Sequence, residues 1–352
     1  MIWLTFRQFR AQAAVVFGGL AVLGAALAVS GPSLADRYAG GLASCRSEDA
    51  CSRFATTFFN DHQVQYGAVI AIVMVLPALI GLFWGAPLIA RELESGTHRL
   101  AWNQSVTRTR WLAAKLGLVG LAAMVAAGLA VRMANWWSGP LDEAVADRFP
   151  RIAPVAFSAH GIVPIGYAAF AFALGVTAGV LTRRTLPAMA ITLAVFVGVQ
   201  VAMPLWVRAH LVPAETATVA ITSKNLSQMT LDQGSEVMTV QTDAAPGAWT
   251  LANRTVDASG REAALPASLM TGACAPPRVS PGPPGPGAEP EPPGGPGEEC
   301  FAEIGRLGFR QEVVYQPADR FWRLQWAESG LFAVLALGLS GVCFFWTRRR
   351  LS

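Results

Sequence analysis

Charge is scarce in this sequence. Of 352 residues, 14% are Asp, Glu, Lys or Arg, against about a quarter in an ordinary soluble domain. Lysine is nearly absent: Lys115 and Lys224 are the two, so Arg supplies 25 of the 27 basic residues. Set beside a hydrophobic content of 53%, this excludes a purely water-facing chain. It also excludes disorder over most of the length, because disordered chains are poor in apolar residues and rich in charge. The net charge of +4 is small, and no nucleic-acid partner is expected.

Catalytic signatures are missing too. The chain has no Gly-x-x-x-x-Gly-Lys-Ser/Thr loop, so it cannot hydrolyse ATP by that route. Cys-x-x-Cys, His-Glu-x-x-His and Gly-x-Ser-x-Gly are absent as well. The four histidines, His62, His98, His160 and His210, fall in different loops, and neither a metal site nor a cofactor of the chain's own is expected. A membrane-embedded enzyme is therefore disfavoured.

What is present is a set of long apolar runs. A helix crossing the hydrocarbon core needs about 20 mostly apolar residues, and six stretches qualify: Ala13–Ser30, Tyr66–Ala90, Leu116–Trp137, Ile162–Leu181, Leu186–Val207 and Ser329–Trp346. Five carry no Asp, Glu, Lys, Arg or His; the third holds Arg132, a little over one turn from its end, where it can snorkel. Carboxylates are missing from all six, and Gln200 is among the most polar side chains they contain. Ion-coupled carriers need an intramembrane ionisable group, so a secondary transporter fits poorly. The energy or signal must come from outside the bilayer.

Basic flanks give the orientation. With the N-terminus inside, the inner segments hold Arg7 and Arg10; Arg91, Arg99, Arg108, Arg110 and Lys115; Arg183 and Arg184; and Arg348 to Arg350. In the short outer loops 31–65 and 138–161, five Arg are offset by seven acids. Both termini are thus expected in the cytoplasm, in a multi-pass protein of the plasma membrane. On this topology Cys45, Cys51, Cys274 and Cys300 all face the oxidising side, and the sequence-local pairs Cys45–Cys51 and Cys274–Cys300 are expected disulfides. Free structural thiols are the alternative. The first apolar stretch, with Arg7 and Arg10 before it and Ser33-Leu34-Ala35 after it, has features of a secretory signal, but it is long for one, and a retained helix is expected.

The fold class expected is an all-α polytopic bundle of six spans, with a small, partly β extracytoplasmic domain between the fifth and sixth. Residues 1–12 interleave apolar and basic side chains and suit an interfacial segment; 13–207 form five spans with an inner loop, 91–115, large enough to dock a soluble partner. Segment 208–328 shows strand-like runs at Thr216–Thr222, Glu236–Thr242 and Ala248–Thr255, closed by the turn Asp257-Ala258-Ser259-Gly260. Its stretch 275–299 holds 10 Pro and 6 Gly and cannot form a packed core. Tyr315, Phe321, Trp322 and Trp326 lead, as an interfacial aromatic cluster, into the sixth span and basic tail, 329–352. Gly81-x-x-x-Gly85 and Gly175-x-x-x-Gly179 permit close helix approach, within one bundle or between two copies.

Several of these segments are similar to a known family. Arg91-Glu92-Leu93-Glu94-Ser95-Gly96-Thr97, running through Val106-Thr107-Arg108 to Lys115, resembles the segment between spans two and three of type-2 ATP-binding-cassette (ABC) exporter permeases. His160 to Tyr167, Arg183 to Ala190, and Tyr315-Gln316-Pro317 with Arg320-Phe321-Trp322 resemble the actinobacterial branch. The resemblance implies an elbow helix at Ile2–Arg10, a coupling region at Arg91–Arg110, a second permease copy (the same chain or a relative) and a separate ABC ATPase subunit that binds ATP and Mg. Within that coupling region, with Gly96 and Thr97, the candidates for transmitting force from the ATPase through charged contacts are Glu92, Glu94, Arg99 and Arg108, and Gly96 is expected as a hinge or cap. The alternative function is a membrane sensor or accessory protein whose outer segment binds a ligand.

Overall fold

The structure is a computed structural model that describes residues 2–96, 107–146, 149–232, 237–266, 268–275 and 297–349. The chain divides into two compact units, Met1–Val212 with Asp319–Ser352, and Pro213–Ala318.

In the first unit six helices are long and apolar enough to cross a membrane. They are α1 (Ile2–Ser44), α2 (Glu48–Glu94), α3 (Arg108–Ala144), α5 (Val163–Thr182), α6 (Thr185–Leu211) and α9 (Phe321–Arg349), with a short α4 (Pro154–Ala159) between α3 and α5. Each covers one of the expected apolar runs, α5 all but Ile162 of its own, and most extend well past it. The 43 residues of α1 run about 65 Å at 1.5 Å per residue, twice the roughly 30 Å hydrocarbon thickness. Residues 2–10 are continuous with this helix and form no separate element. The α1–α2 turn is held by Ser47, which caps α2 by accepting from Ala50 N–H ahead of Glu48 and Asp49, and by the Cys45–Cys51 disulfide.

The helix α5 is the centre of the bundle, buried on nearly every side. Its partner is α2, and the two glycine motifs meet here. A Cβ on Gly175 would lie 2.3 Å from the Gly81 carbonyl oxygen and 2.7 Å from Ala86 N; one on Gly179 would lie 2.6 Å from the Ala86 oxygen. The motifs are therefore used against each other inside one chain. At the crossing, Gly81–Gly85 is wound as a π-helix one turn after Pro77, whose missing N–H frees a carbonyl in the preceding turn. The second π-turn, Met203–Val207 in α6, contains Pro204.

The second unit holds two three-stranded antiparallel sheets and a short helix α7 (Ser268–Thr271). One orders β1 (Glu215–Val219), β6 (Arg310–Gln316) and β4 (Trp249–Val256); the other orders β2 (Leu226–Asp232), β3 (Val237–Thr242) and β5 (Leu265–Pro266). Thr216 pairs with Val314, Ala252 with Val314 and Thr230 with Thr239. The sheets are tied together by Gln311, which donates to the Val240 carbonyl, and by Asn253, which donates to that of Thr242 at 2.6 Å. Three strands fall on the expected runs. Strand β2 is new, and so is β6: the stretch before the last span folds as α8 (Glu298–Arg306) and β6 rather than as a plain lead-in. The turn at Asp257 is as expected, with Gly260 at φ +80°; hydrogen bonds from Ser259 and Arg261 hold the Asp257 carboxyl below its ordinary range.

The Cys274–Cys300 disulfide forms, and it lies inside the core of this unit with Met238, Val240, Leu265, Leu269, Phe301 and Ile304. It therefore packs as well as tethers. All but Ala275 and the last three residues of the Pro/Gly stretch 275–299 lie outside the described residues. Cys343 is free and buried in α9. Thiol labelling of the unfolded protein is expected to find one reactive cysteine before reduction and five after it; three or more before reduction would contradict one of the bridges.

Candidate functional site

Polar chemistry gathers at the two ends of the helical unit. The first end carries both termini, because Phe9 packs in one cluster with Trp84, Trp111 and Trp346. Phe9 meets the buried Trp84 edge to face at 4.6 Å, which fastens the amphipathic start of α1 onto the end of α2. There α2 stops: Ser95 N–H returns to the Arg91 carbonyl, and Gly96 takes φ +72°, a left-handed conformation that ends helices and that a Cβ disfavours. The helix α3 restarts at Arg108, with Thr107 as its cap accepting from Arg110 N–H.

Glu92 and Glu94 have different surroundings. The Glu92 carboxylate lies 2.5 Å from Lys115 Nζ, whose side chain is 4% exposed and sits over the Trp111 ring. This ion pair joins the end of α2 to the start of α3. Glu94 is exposed and accepts from both the N–H and the hydroxyl of Thr185, at 3.2 and 2.9 Å, at the first turn of α6. It thereby ties the α2 end to the α5–α6 turn, where Arg183 has φ +57°. Thr97 and Arg99 lie outside the described residues; Gly96 and Arg108 border them. A cavity of about 320 Å³ opens among Thr5, Gln12, Arg91, Glu92 and Lys115. Three separate stretches of sequence, 2–12, 86–96 and 107–115, thus converge on one patch.

At the opposite end two buried clusters hold the helices. Asp142 on α3 accepts from Tyr66 (2.8 Å), Ser138 (2.8 Å), Arg151 (3.3 Å) and His160 Nε2 (3.1 Å), while His160 Nδ1 faces the Ala156 carbonyl at 2.7 Å. Arg208 on α6 and Glu328 on α9 form a bidentate pair, Nε to Oε2 at 2.7 Å and Nη2 to Oε1 at 3.1 Å, with both side chains fully buried. Nη1 donates to the Pro154 carbonyl, Nη2 reaches Ser158, Tyr167 donates to Glu328, and the guanidinium lies 4.3 Å over the Phe157 ring. One turn before Glu328, Gln325 accepts from Ile162 and Val163 N–H, capping α5. Gly161, at φ +67°, leaves the room Gln325 needs.

Asp142, Arg208 and Glu328 are not singled out by reading the sequence, and His160 is named there only among the scattered histidines and at the head of a family-like stretch. A signal did exist: Arg208 and Glu328 each stand one residue outside an apolar run, after the fifth and before the sixth. Among the described residues no cluster of His, Cys, Asp or Glu has the geometry of a metal site. What the arrangement offers is mechanical, a set of charged ties at each end of a bundle with a tight central crossing.

Such a molecule, with six helices long and apolar enough to cross a membrane, is a multi-pass membrane protein. The family model described as ABC-2 membrane transporter related matches residues 17–208, more than half of the chain, and the chain belongs to that family. Neither curated proteins nor solved structures give a match. The family is in general the non-catalytic membrane partner of an ABC ATPase.

Proposed function

We propose that this chain is the permease subunit of an ATP-driven ABC exporter in the plasma membrane, with both termini in the cytoplasm, working as a pair of permeases above separate ATPase subunits that bind ATP and Mg. The observation that carries the reading is the convergence of 2–12, 86–96 and 107–115 at the terminal end, within a chain of ABC-2 membership. An ATPase pressing there meets a patch already tied to three helices: Lys115–Glu92 passes a push to α3, and Glu94–Thr185 passes it to α6. Gly96 and Arg108 border the contact, and Thr97 and Arg99 belong to the same stretch of sequence. The outward-facing role of 208–328 and the export direction belong to this proposal as well.

The test is affinity purification of the tagged chain from mild-detergent membranes. A soluble ATPase is expected in about equal amount, hydrolysing ATP. Glu94→Arg is expected to weaken ATP-driven transport while leaving the bundle folded, because Glu94 is exposed and its described hydrogen bonds go to Thr185. Glu92 is the poorer probe, since its reversal would strand the buried Lys115. Absence of any ATPase across several detergents would overturn the exporter reading in favour of a membrane sensor.

A further inference from the structure

A second cavity, of about 630 Å³, lies at the end opposite the termini, between α2 and the segment that follows α3. Its volume is that of a small-molecule site, which runs from roughly 300 to 1,000 Å³. One wall is a single face of α2, where Thr56, Phe59, Asn60, Gln63, Tyr66 and Ile70 recur at helical spacing. The other is Val145, Phe149 and the stretch 153–156.

Three features define what fits. First, no charged side chain among the described residues lines the cavity. Tyr66 contributes its ring to the wall, while its hydroxyl is committed to Asp142. Second, the polarity is graded. Ile70 lies inside the apolar run that begins at Tyr66, whereas Thr56 stands ten residues, about 15 Å, before that run on the same helix. The floor is thus at the level of the hydrocarbon, and the neutral amides of Asn60 and Gln63, both exposed, form a rim beyond it. Third, the mouth is aromatic and open. Phe59 and Phe149 stack at 6.3 Å, and Phe149 remains 60% exposed. Among the described lining residues a charged ligand would find no opposite charge to replace its hydration. An apolar body with an uncharged hydrogen-bonding head matches both zones.

We propose that this cavity binds a neutral amphiphile taken from the membrane surface, its apolar body held among Phe59, Tyr66, Ile70 and Phe149 and its uncharged head at Asn60 and Gln63. The site goes beyond the transporter reading and does not depend on an ATPase, so its test stands or falls separately.

The probe is a monoacylglycerol carrying a diazirine in its chain and a terminal alkyne, photolysed with the full chain in phosphatidylcholine nanodiscs. Labelled peptides are expected within 56–70 and 145–156. Excess unlabelled monoacylglycerol should compete, and the fatty-acid anion of equal chain length should compete about tenfold more weakly, a gap of ~1.4 kcal/mol. Ala153→Phe fills the cavity from one wall and Thr56→Trp from the other. Each is expected to abolish the labelling in protein that remains monodisperse, and either suffices should the other fail to fold. Labelling spread over α1, α6 and α9 without competition would mean annular lipid only and would overturn the site. Equal competition by the anion, or labelling unchanged in the filled variants, would overturn it too.

Discussion

Gly175→Ala is expected to destabilise the bundle by about 3 kcal/mol, at the upper end of what overpacking costs. The added Cβ meets backbone atoms of α2, the Gly81 oxygen at 2.3 Å, Ala86 N at 2.7 Å and Gly85 C at 3.0 Å. No side chain can turn aside to admit it, so the two helices must separate. In a membrane that separation is costly, because helix association there rests on close packing rather than on burial of apolar surface. The same change at Gly117, where nothing lies within 4 Å, supplies the control. Gly117→Ala keeps the chemistry and should be neutral or slightly stabilising, since alanine is the better helix former. Equilibrium unfolding of both variants in mixed micelles measures the difference; equal midpoints would show that the α2–α5 crossing is looser than described. Transport should fall with stability in Gly175→Ala, because α2 also carries Glu92 and Glu94 to the terminal end.

The six spans were legible because each is a long apolar run, and Arg132 near the end of its run did not disturb the reading. Strands β1, β3 and β4 were legible from alternating β-branched residues, and both disulfides from four cysteines standing as two sequence-local pairs in segments expected on one side of the membrane. Strand β6 was hidden because Arg310–Gln316 was read together with the aromatic residues that follow it. Helix lengths were underestimated for a different reason. Hydropathy marks the hydrocarbon, whereas the hydrogen-bonded ladder of α1 continues to Ser44 through residues that are merely not apolar. The polar ties could not be read at all as pairs: Glu328 and Arg208 are 120 residues apart, and their meeting depends on the rotation of α6 and α9 about their axes. The pattern behind them was nevertheless present. Lys115 stands one residue, and Glu92 two residues, outside an apolar run at one end, as Arg208 and Glu328 stand one residue outside theirs at the other.

Arg208→Met is expected to cost about 3–5 kcal/mol, the range for removing one partner of a buried ion pair. Glu328 would be left with its carboxylate fully buried and Tyr167 as its remaining described hydrogen-bond donor, and the Pro154 carbonyl would lose the donor it has in Nη1. Glu328→Leu should cost a similar amount by stranding the guanidinium beside the Phe157 ring. The double variant Arg208→Met with Glu328→Leu is expected to recover most of the loss, since desolvating two charges offsets much of their attraction and apolar replacements of similar volume are often neutral. The cycle therefore separates two meanings of the pair. Single losses below about 1 kcal/mol would show that water reaches the site and that the pair is not buried. Large single losses with recovery in the double variant would show that the pair contributes little net stability and chiefly sets which way α6 and α9 face each other. Transport measured on the double variant then decides what that orientation is for. Arg208 also grips α4 through Pro154, Ser158 and Phe157, so a stable double variant that no longer transports would place the coupling of α4, α6 and α9 within the working cycle.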